Sequence, residues 1–501
     1  MLGTEGDVPS HQNPIYDLRS ALSLISNMPD QLLVTDEAVD PEAELAGVYR
    51  YIGAGCPVAP PTRIGPAMLF NNVKGYDGRV VTGIFASRKR TAYLLNTSEE
   101  NLPLLLLKAC ESPVNPTAFQ GSAPPCQEVV HTPPVDIRSL LPAHTNTLKD
   151  AGPYLNMGLI RAEDPETGDA DVTIHRLCVQ GPDLLSVFFS PGRHIDQFRK
   201  KAEKADAPLP VSINIGLDPA CYLAACFEPP TTPLGFDELT IAGGLRNRPM
   251  ELAPCVSVAT SAIAHAEIVI EGEILPGKRI REDFHTQTGY AMPEFPGYLG
   301  PAQKALPLIR VTAVTHRKNP IMQTIVGPGE EHTNLVGIPT EASILRMVES
   351  AMPGIVLNVY CPSAGGGKYL AVVQCRKTAI SDEGRQRQAA LNAFTAFSEL
   401  KHVILVDEDV NIYDMNDVMW AMTTRYQGNL DTVFLPGIRC HPLDPSQRPE
   451  YHPSIPATGV SCKTIFDCTV PFHLKKQFER ARFEGVDVDR FLARSGTYEN
   501  R

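Results

Sequence analysis

Apolar positions recur at helical spacing at Leu18, Leu22 and Ile25, and Asp30 closes that segment, so residues 15–50 are expected to be helical. From Pro57 to Phe85 the pattern shortens to strand-like runs, Ala67–Phe70 and Val80–Ile84. Residues 112–135 lose periodicity and collect Pro, Ser, Thr and Gln, which predicts a long connection and a boundary. Between about 150 and 325 apolar runs dominate, at Val172–Ile174, Leu184–Phe189, Val211–Ile215, Ala266–Ile270 and Leu308–Thr312. Gly, Pro or Asp bounds each run, and helical stretches at 194–205 and 236–247 interrupt the series. That mixture predicts an α+β region built on a barrel or sandwich, not a regular βαβ repeat.

The last third reads differently. A helix over 340–352 should open at Thr340 with Glu341 in its first turn, and a second should cover 383–400. Val403–Val406 reads as a buried strand that ends in Asp407-Glu-Asp409, and Asp414–Arg425 reads as a helix, which together form an α/β unit. The tail after Cys440 is Pro-rich and is expected to be irregular. The fold class is therefore multidomain α+β or α/β. An N-terminal α/β region is expected at 1–140, a strand-rich central domain at 141–325 and a C-terminal α/β domain at 326–501. The length of 501 residues agrees with two to four domains at roughly 100–200 residues each.

Charge narrows the partners. Lys plus Arg is 45 against 57 Asp plus Glu, a net −12, which argues against nucleic acid or an anionic membrane surface. The 45 prolines are well above the average of about 5% and imply short elements with stiff connections. Twelve cysteines include no CxxC pair, so they read as small buried hydrophobes in a reducing compartment, Cys56, Cys178 and Cys361 among them. Met1–Asp7 is acidic where a signal peptide needs base, and no run approaches 18 apolar residues. A soluble, cytoplasmic protein is expected.

Four groups of residues could carry chemistry. Gly365-Gly-Gly-Lys368 lacks the first glycine and the Ser or Thr of a phosphate loop, so it reads as a turn or as a close-approach loop that ends in a lysine. Gly327–Asn334 carries Glu330, Glu331, His332 and Thr333 on a Gly/Pro turn, and His332 is either solvated or functional. Asp407, Glu408, Asp409, Asp414 and Asp417 lack calcium-loop spacing and read better as helix caps than as a cation site. Asn156, His194 and Glu238 would suit Mn²⁺ or Mg²⁺ chemically, but their spacing makes no local motif.

Several stretches taken together resemble the UbiD-like decarboxylases: Asn156–Arg161, Pro191–Ile195, the Glu238 helix, Ala266–Gly272, Pro293–Gly297 and Val406–Val410 with Trp420–Arg425. The resemblance runs over about residues 15–470. Residues 330–333, 365–368 and 461–468 look like the hydroxybenzoate branch, which includes protocatechuate and gallate decarboxylases. It implies a split-barrel-like central domain that binds prenylated FMN, with a flavin prenyltransferase as cofactor supplier. It further implies Asn156, His194 and Glu238 as ligands of a divalent metal, usually Mn²⁺ with K⁺ beside it, that bridges to the cofactor phosphate. Arg161 matches the family's active-site arginine, Arg193 lies near the cofactor, and Lys401 matches a lysine near the phosphate. Glu294 matches the proton donor. A second family glutamate, expected five residues later, is Leu299 here, and the insertion 281–288 offers Asp283 or His285 as candidates in its place.

The implied activity is non-oxidative, reversible decarboxylation of a para-hydroxylated benzoic acid, gallate to pyrogallol or protocatechuate to catechol. Loss of CO₂ from a benzoate leaves an in-plane carbanion that no side chain delocalises, so an organic electron sink is needed. His332 and Lys368 are expected at the ring hydroxyls, Arg161 at the carboxylate, and protonated Glu294 at the reacting carbon. The alternatives are a decarboxylase of another aromatic or acrylic acid, a flavin-binding redox protein, and a non-catalytic scaffold subunit. A homodimer or higher homo-oligomer is expected.

Overall fold

The computed structural model of the chain describes residues 14–190, 192–455 and 459–487. The reading of Met1–Asp7, and Pro191 of the 191–195 motif, lie outside them.

The centre of the molecule is a closed barrel. Strands Tyr154–Glu163, Ala170–Val179, Leu184–Val187, Leu209–Ile215, Ile268–Ile280 and Leu306–His316 pair in the order 268–280, 209–215, 154–163, 170–179, 184–187, 306–316. The 306–316 strand pairs back onto 268–280 and closes the ring of six. All of these pairings are antiparallel. Closure removes the sheet edges, and the inward side chains Leu155, Ile160, Leu177, Ile213, Ile270 and Val311 fill the interior. The expected α+β barrel region is thus present, with helices His194–Lys204 and Leu239–Arg246 close to where the sequence places them.

The C-terminal region is a five-stranded mixed sheet in the order Val356–Tyr360, Leu370–Cys375, His402–Asp407, Val460–Cys468, Thr432–Arg439. Helix Arg385–Ala396 packs its Ala389, Ala390 and Ala393 against this sheet. The N-terminal region adds a four-stranded sheet whose last strand, Ile321–Gln323, comes from beyond the barrel.

Three expectations needed correction. The segment 15–50 is not one helical stretch: helices Leu18–Ile25 and Glu44–Ile52 flank the strand Leu32–Thr35, which pairs in parallel with Ala67–Phe70. Asp30, at φ +57°, turns the chain between them. The helix expected at 340–352 starts ten residues earlier and runs Glu330–Ala351 straight through Pro339, so Pro339 marks no boundary. The tail after Cys440 contributes Val460–Cys468 to the middle of the sheet, where it pairs with His402–Asp407 and Thr432–Arg439.

The described cysteines are all free. Cys178 and Cys361 are buried as expected, whereas Cys56 and Cys462 are exposed. No helix among the described residues is long and apolar enough to cross a membrane.

Candidate active site

A cavity of about 200 Å³ opens between the barrel wall and the first turn of helix Glu330–Ala351. The 170–179 strand supplies Thr173, Ile174, His175 and Arg176 to it, and the 292–295 segment covers it with Met292, Glu294 and Phe295. Arg193, Glu228, His332 and Lys368 complete its polar lining.

Arg176 lies between two carboxylates. Its Nε and Nη2 donate to Glu282 at 3.0 and 3.2 Å, and Nη1 donates to Glu294. Burial opposes the charge on Arg176, yet Glu294 and Glu282 hold its pKa above the ordinary value. Glu282 also accepts from the Tyr154 hydroxyl at 3.1 Å and from the Gln303 amide at 3.0 Å. Burial raises the pKa of Glu294; Glu282 adds to the rise, while Arg176 and Lys368 oppose it. Glu294 thus sits where a carboxylic acid keeps its proton to higher pH than usual.

Aromatic rings gather around Phe295. His332 stacks on its ring at 5.6 Å and 18°, while His441 and Tyr369 meet it edge-on at 4.6 and 4.9 Å. Burial pushes the His332 pKa down to about 3, with Lys368 contributing, so the imidazole is neutral at physiological pH. Its Nε2 is buried without a partner among the described residues. Glu331, next to it, accepts from the Gly83 and Phe85 amides at 2.6 and 3.2 Å and ties this helix start to the N-terminal region. The glycines before Lys368 serve close packing. Gly366 and Gly367 have φ of +59° and +73°, and a Cβ on Gly367 would lie 2.6 Å from the Thr333 carbonyl oxygen.

A second pocket shares Thr173, Arg193 and Glu228 with the first. It holds Asp171, His194 and Glu238, whose ligand atoms lie within 4.8 Å of one another. His194 Nδ1 is 2.7 Å from Asp171 Oδ2. Burial, and then the Asp171 charge, raises the Glu238 pKa well above the ordinary carboxylate value. Two buried carboxylates and one imidazole make a donor set that suits a divalent cation, so the residues fit the expected metal.

Of the residues expected from sequence, Glu294, His332, Lys368 and Arg193 line the first cavity, and His194 and Glu238 meet in the second pocket. Asn156 lines the first cavity instead. Its Nδ2 donates to the Ile325 carbonyl at 3.4 Å and its Oδ1 is buried without a partner among the described residues, while Asp171 stands with His194 and Glu238. Arg161 lines neither cavity. Its guanidinium is held by Glu163 at 2.6 Å and Thr260 at 3.1 Å, whereas Arg176 lines the cavity beside Glu294. Lys401 also lies outside both, bound to Asp444 at 2.8 Å and Ser446 at 2.6 Å. In the 281–288 insertion Asp283 pairs with Arg281 and His285 bonds the Gln180 carbonyl, whereas Glu282, between them, reaches Arg176. The 407–417 acids cap and pair, with Asp407 and Asp409 on Arg425, Asp417 on Arg480, and Asp414 capping its helix.

Three consecutive stretches match the N-terminal, Rift-related and C-terminal domains of 3-octaprenyl-4-hydroxybenzoate carboxy-lyase, over residues 27–110, 118–330 and 333–468. The chain belongs to the UbiD family. It is a carboxy-lyase of that family. Gallate decarboxylase of Lactiplantibacillus plantarum is 52% identical over 484 residues, which cover 95% of this chain and 99% of that protein. The apo structure of the 3,4-dihydroxybenzoic acid decarboxylase from Enterobacter cloacae superposes with a TM-score of 0.91 at 58% identity, covering 96% of this chain and 99% of that one. An evolved dimeric form of the UbiD-class enzyme HmfF from Pelotomaculum thermopropionicum, in complex with prFMN, superposes with a TM-score of 0.82 at 34% identity. That match covers 95% of this chain and 100% of the other.

Proposed function

We propose that the protein catalyses reversible, non-oxidative decarboxylation of a para-hydroxylated benzoic acid, gallate to pyrogallol or protocatechuate to catechol. The observation that carries this reading is that one cavity is lined both by Arg176 and Glu294, with Glu282 holding Arg176 from behind, and by the neutral His332 with Lys368. An arginine and an acid suit the carboxylate end of a substrate, and an imidazole with an ammonium suits phenol hydroxyls.

Prenylated FMN, when bound, supplies the electron sink that a ring carbanion requires. Asp171, His194 and Glu238 would hold a divalent cation such as Mn²⁺ at its phosphate end, with K⁺ beside it as the family resemblance implies. Arg193 and the unpartnered Asn156 Oδ1 would face the cofactor. A flavin prenyltransferase would supply the cofactor.

The chain's own residues divide the remaining work. Arg176 orients the substrate carboxylate and keeps Glu282 and Glu294 in place. Neutral His332 accepts a hydrogen bond from a ring hydroxyl, and Lys368 stabilises the negative charge that develops on the ring oxygens. Once CO₂ has left, Glu294 transfers its proton to the ring carbon and regains one from solvent. Phe295, Met292, Ile174 and Leu335 keep bulk water off the reacting carbon.

The test is product analysis after co-expression with a flavin prenyltransferase and anaerobic purification with Mn²⁺ and K⁺. Pyrogallol from gallate or catechol from protocatechuate, with stoichiometric CO₂, is expected. A spectrum of bound prenylated flavin without either product would overturn the phenolic assignment.

A further inference from the structure

We propose that Glu228 and Glu399 form a carboxylate clamp across the boundary between the barrel and the C-terminal sheet, and that the clamp positions Lys368 for the substrate hydroxyls. The proposal rests on the reading of the cavity given above and adds two positioning residues to it.

A lysine ammonium is a point charge on a four-carbon stem, with three N–H donors and no geometry of its own. Lys368 needs one imposed, because it ends a run of three glycines and is 93% removed from solvent (7% exposed). Glu399, buried and just past helix Arg385–Ala396, takes Nζ at 3.4 Å. Glu228, from the barrel side, lies 3.8 Å from the same Nζ. The rings of Phe295 and Phe397 flank the ammonium at 5.8 and 5.7 Å. One N–H goes to Glu399, Glu228 stands by as a second counter-charge, and N–H donors remain for the cavity that Lys368 lines.

Each carboxylate is itself held from its own side. Arg193 Nη2 donates to Glu228 Oε1 at 2.5 Å. His441 Nδ1 accepts from the Leu443 amide at 3.0 Å, so its proton is on Nε2, which lies 3.3 Å from Glu399 Oε2. The charges of Arg193 and Lys368 balance those of Glu228 and Glu399, which is the condition for burying Lys368 and Glu399 beside the half-buried Arg193–Glu228 pair. The ammonium therefore needs no counter-charge from the substrate, and its free N–H is available to a neutral or ionised hydroxyl. Because the two anions come from opposite sides of the boundary, Lys368 is fixed only when the barrel and the C-terminal sheet are together.

The test is a double-mutant cycle on the cofactor-loaded enzyme with Glu399→Gln and Lys368→Met. The readouts are kcat/KM for 3,4-dihydroxybenzoate and the calorimetric affinity for catechol. Glu399→Gln alone is expected to lower both by roughly 10- to 100-fold, the range for a hydrogen bond to a charged group. Added to Lys368→Met, it should change neither quantity further. Equal losses in the two backgrounds, with wild type active, would overturn the clamp and leave the cavity reading intact. A wild type that neither binds catechol nor releases CO₂ would overturn the cavity reading and the clamp together. Glu228→Gln runs the same cycle from the barrel side if Glu399→Gln does not fold.

Discussion

Replacing Arg176 by Met, with Arg161→Met as its partner experiment, decides which arginine serves the reaction. Arg176 is the charged partner of Glu282, whose side chain is 1% exposed, and it also bonds Glu294. Removing one member of a buried ion pair costs about 3–5 kcal/mol, because the remaining charge is stranded. Glu282 would keep two neutral donors, the Tyr154 hydroxyl and the Gln303 amide, so the lower end, about 3 kcal/mol, is expected. Adding Glu282→Gln removes the stranded charge and should restore most of that loss, a coupling visible in denaturant melts. Decarboxylation should fall by about 10³-fold or more in both Arg176 variants, since the guanidinium beside Glu294 is gone and the substrate carboxylate loses its orientation there. Arg161→Met is different. Its partner Glu163 is 38% exposed, so the pair contributes only about 0–1 kcal/mol, and turnover should stay within a few-fold of wild type. Loss of turnover in Arg161→Met with retention in Arg176→Met would refute the placement of the active-site arginine.

Glu294→Gln should keep the fold and the bound flavin but reduce kcat by about 10²–10⁴-fold, the usual contribution of a positioned acid; unchanged product formation would remove Glu294 from the mechanism. Asp171→Ala should weaken Mn²⁺ binding by at least tenfold in electron paramagnetic resonance titrations of the cofactor-free chain, whereas Asn156→Ala should leave it unchanged. Equal weakening by both substitutions would return Asn156 to the ligand set. His332 has a native pKa of about 3 against 6.5 for the ordinary group, so between these values the unfolded chain binds a proton that the native state does not. The stability held at pH 7.5 is therefore lost as pH falls through that window, by about 2 kcal/mol at pH 5. His332→Asn should narrow its stability gap to wild type by that amount between pH 7.5 and 5 in urea titrations, and a constant gap would mean that the imidazole titrates normally.

Much of this was legible before the coordinates. Strand runs such as Val211–Ile215 and Leu308–Thr312 lie in the barrel because period and turn residues agree there. Glu294, His332 and Lys368 converge as expected although 74 residues separate the first from the last. What was not legible depends on long-range packing. The strand Val460–Cys468 sits in a Pro-rich tail, and only its pairing partners on both sides make it a sheet interior. The first turn of helix Glu330–Ala351 reads in the sequence as part of a Gly/Pro turn, because Gly327, Pro328 and Gly329 stand directly before it. Glu228, Glu399 and His441 belong to no motif, and only the meeting of the barrel with the C-terminal sheet gives them a shared lysine.

The exchange of Asn156 and Arg161 for Asp171 and Arg176 has a specific origin. Both pairs are a metal-competent oxygen followed five residues later by an arginine, and they lie on neighbouring antiparallel strands in which Arg161 faces Val172 and Ala162 faces Asp171. Spacing alone therefore fits either strand. The surroundings separate them: the 170–179 strand runs past His194 at one end and Glu282 and Glu294 further along, while Arg161 ends against Glu163 and Thr260. Five residues of extended chain span roughly 16 Å, so one strand carries Asp171 and Arg176, the proposed cation and carboxylate partners, at a fixed separation. Closure of the barrel stiffens that strand between two neighbours, 154–163 and 184–187, so the two ends do not drift independently. A substitution that disturbs the strand between them, such as Ile174→Pro, should impair Mn²⁺ binding and turnover together, although Ile174 belongs to neither charged cluster.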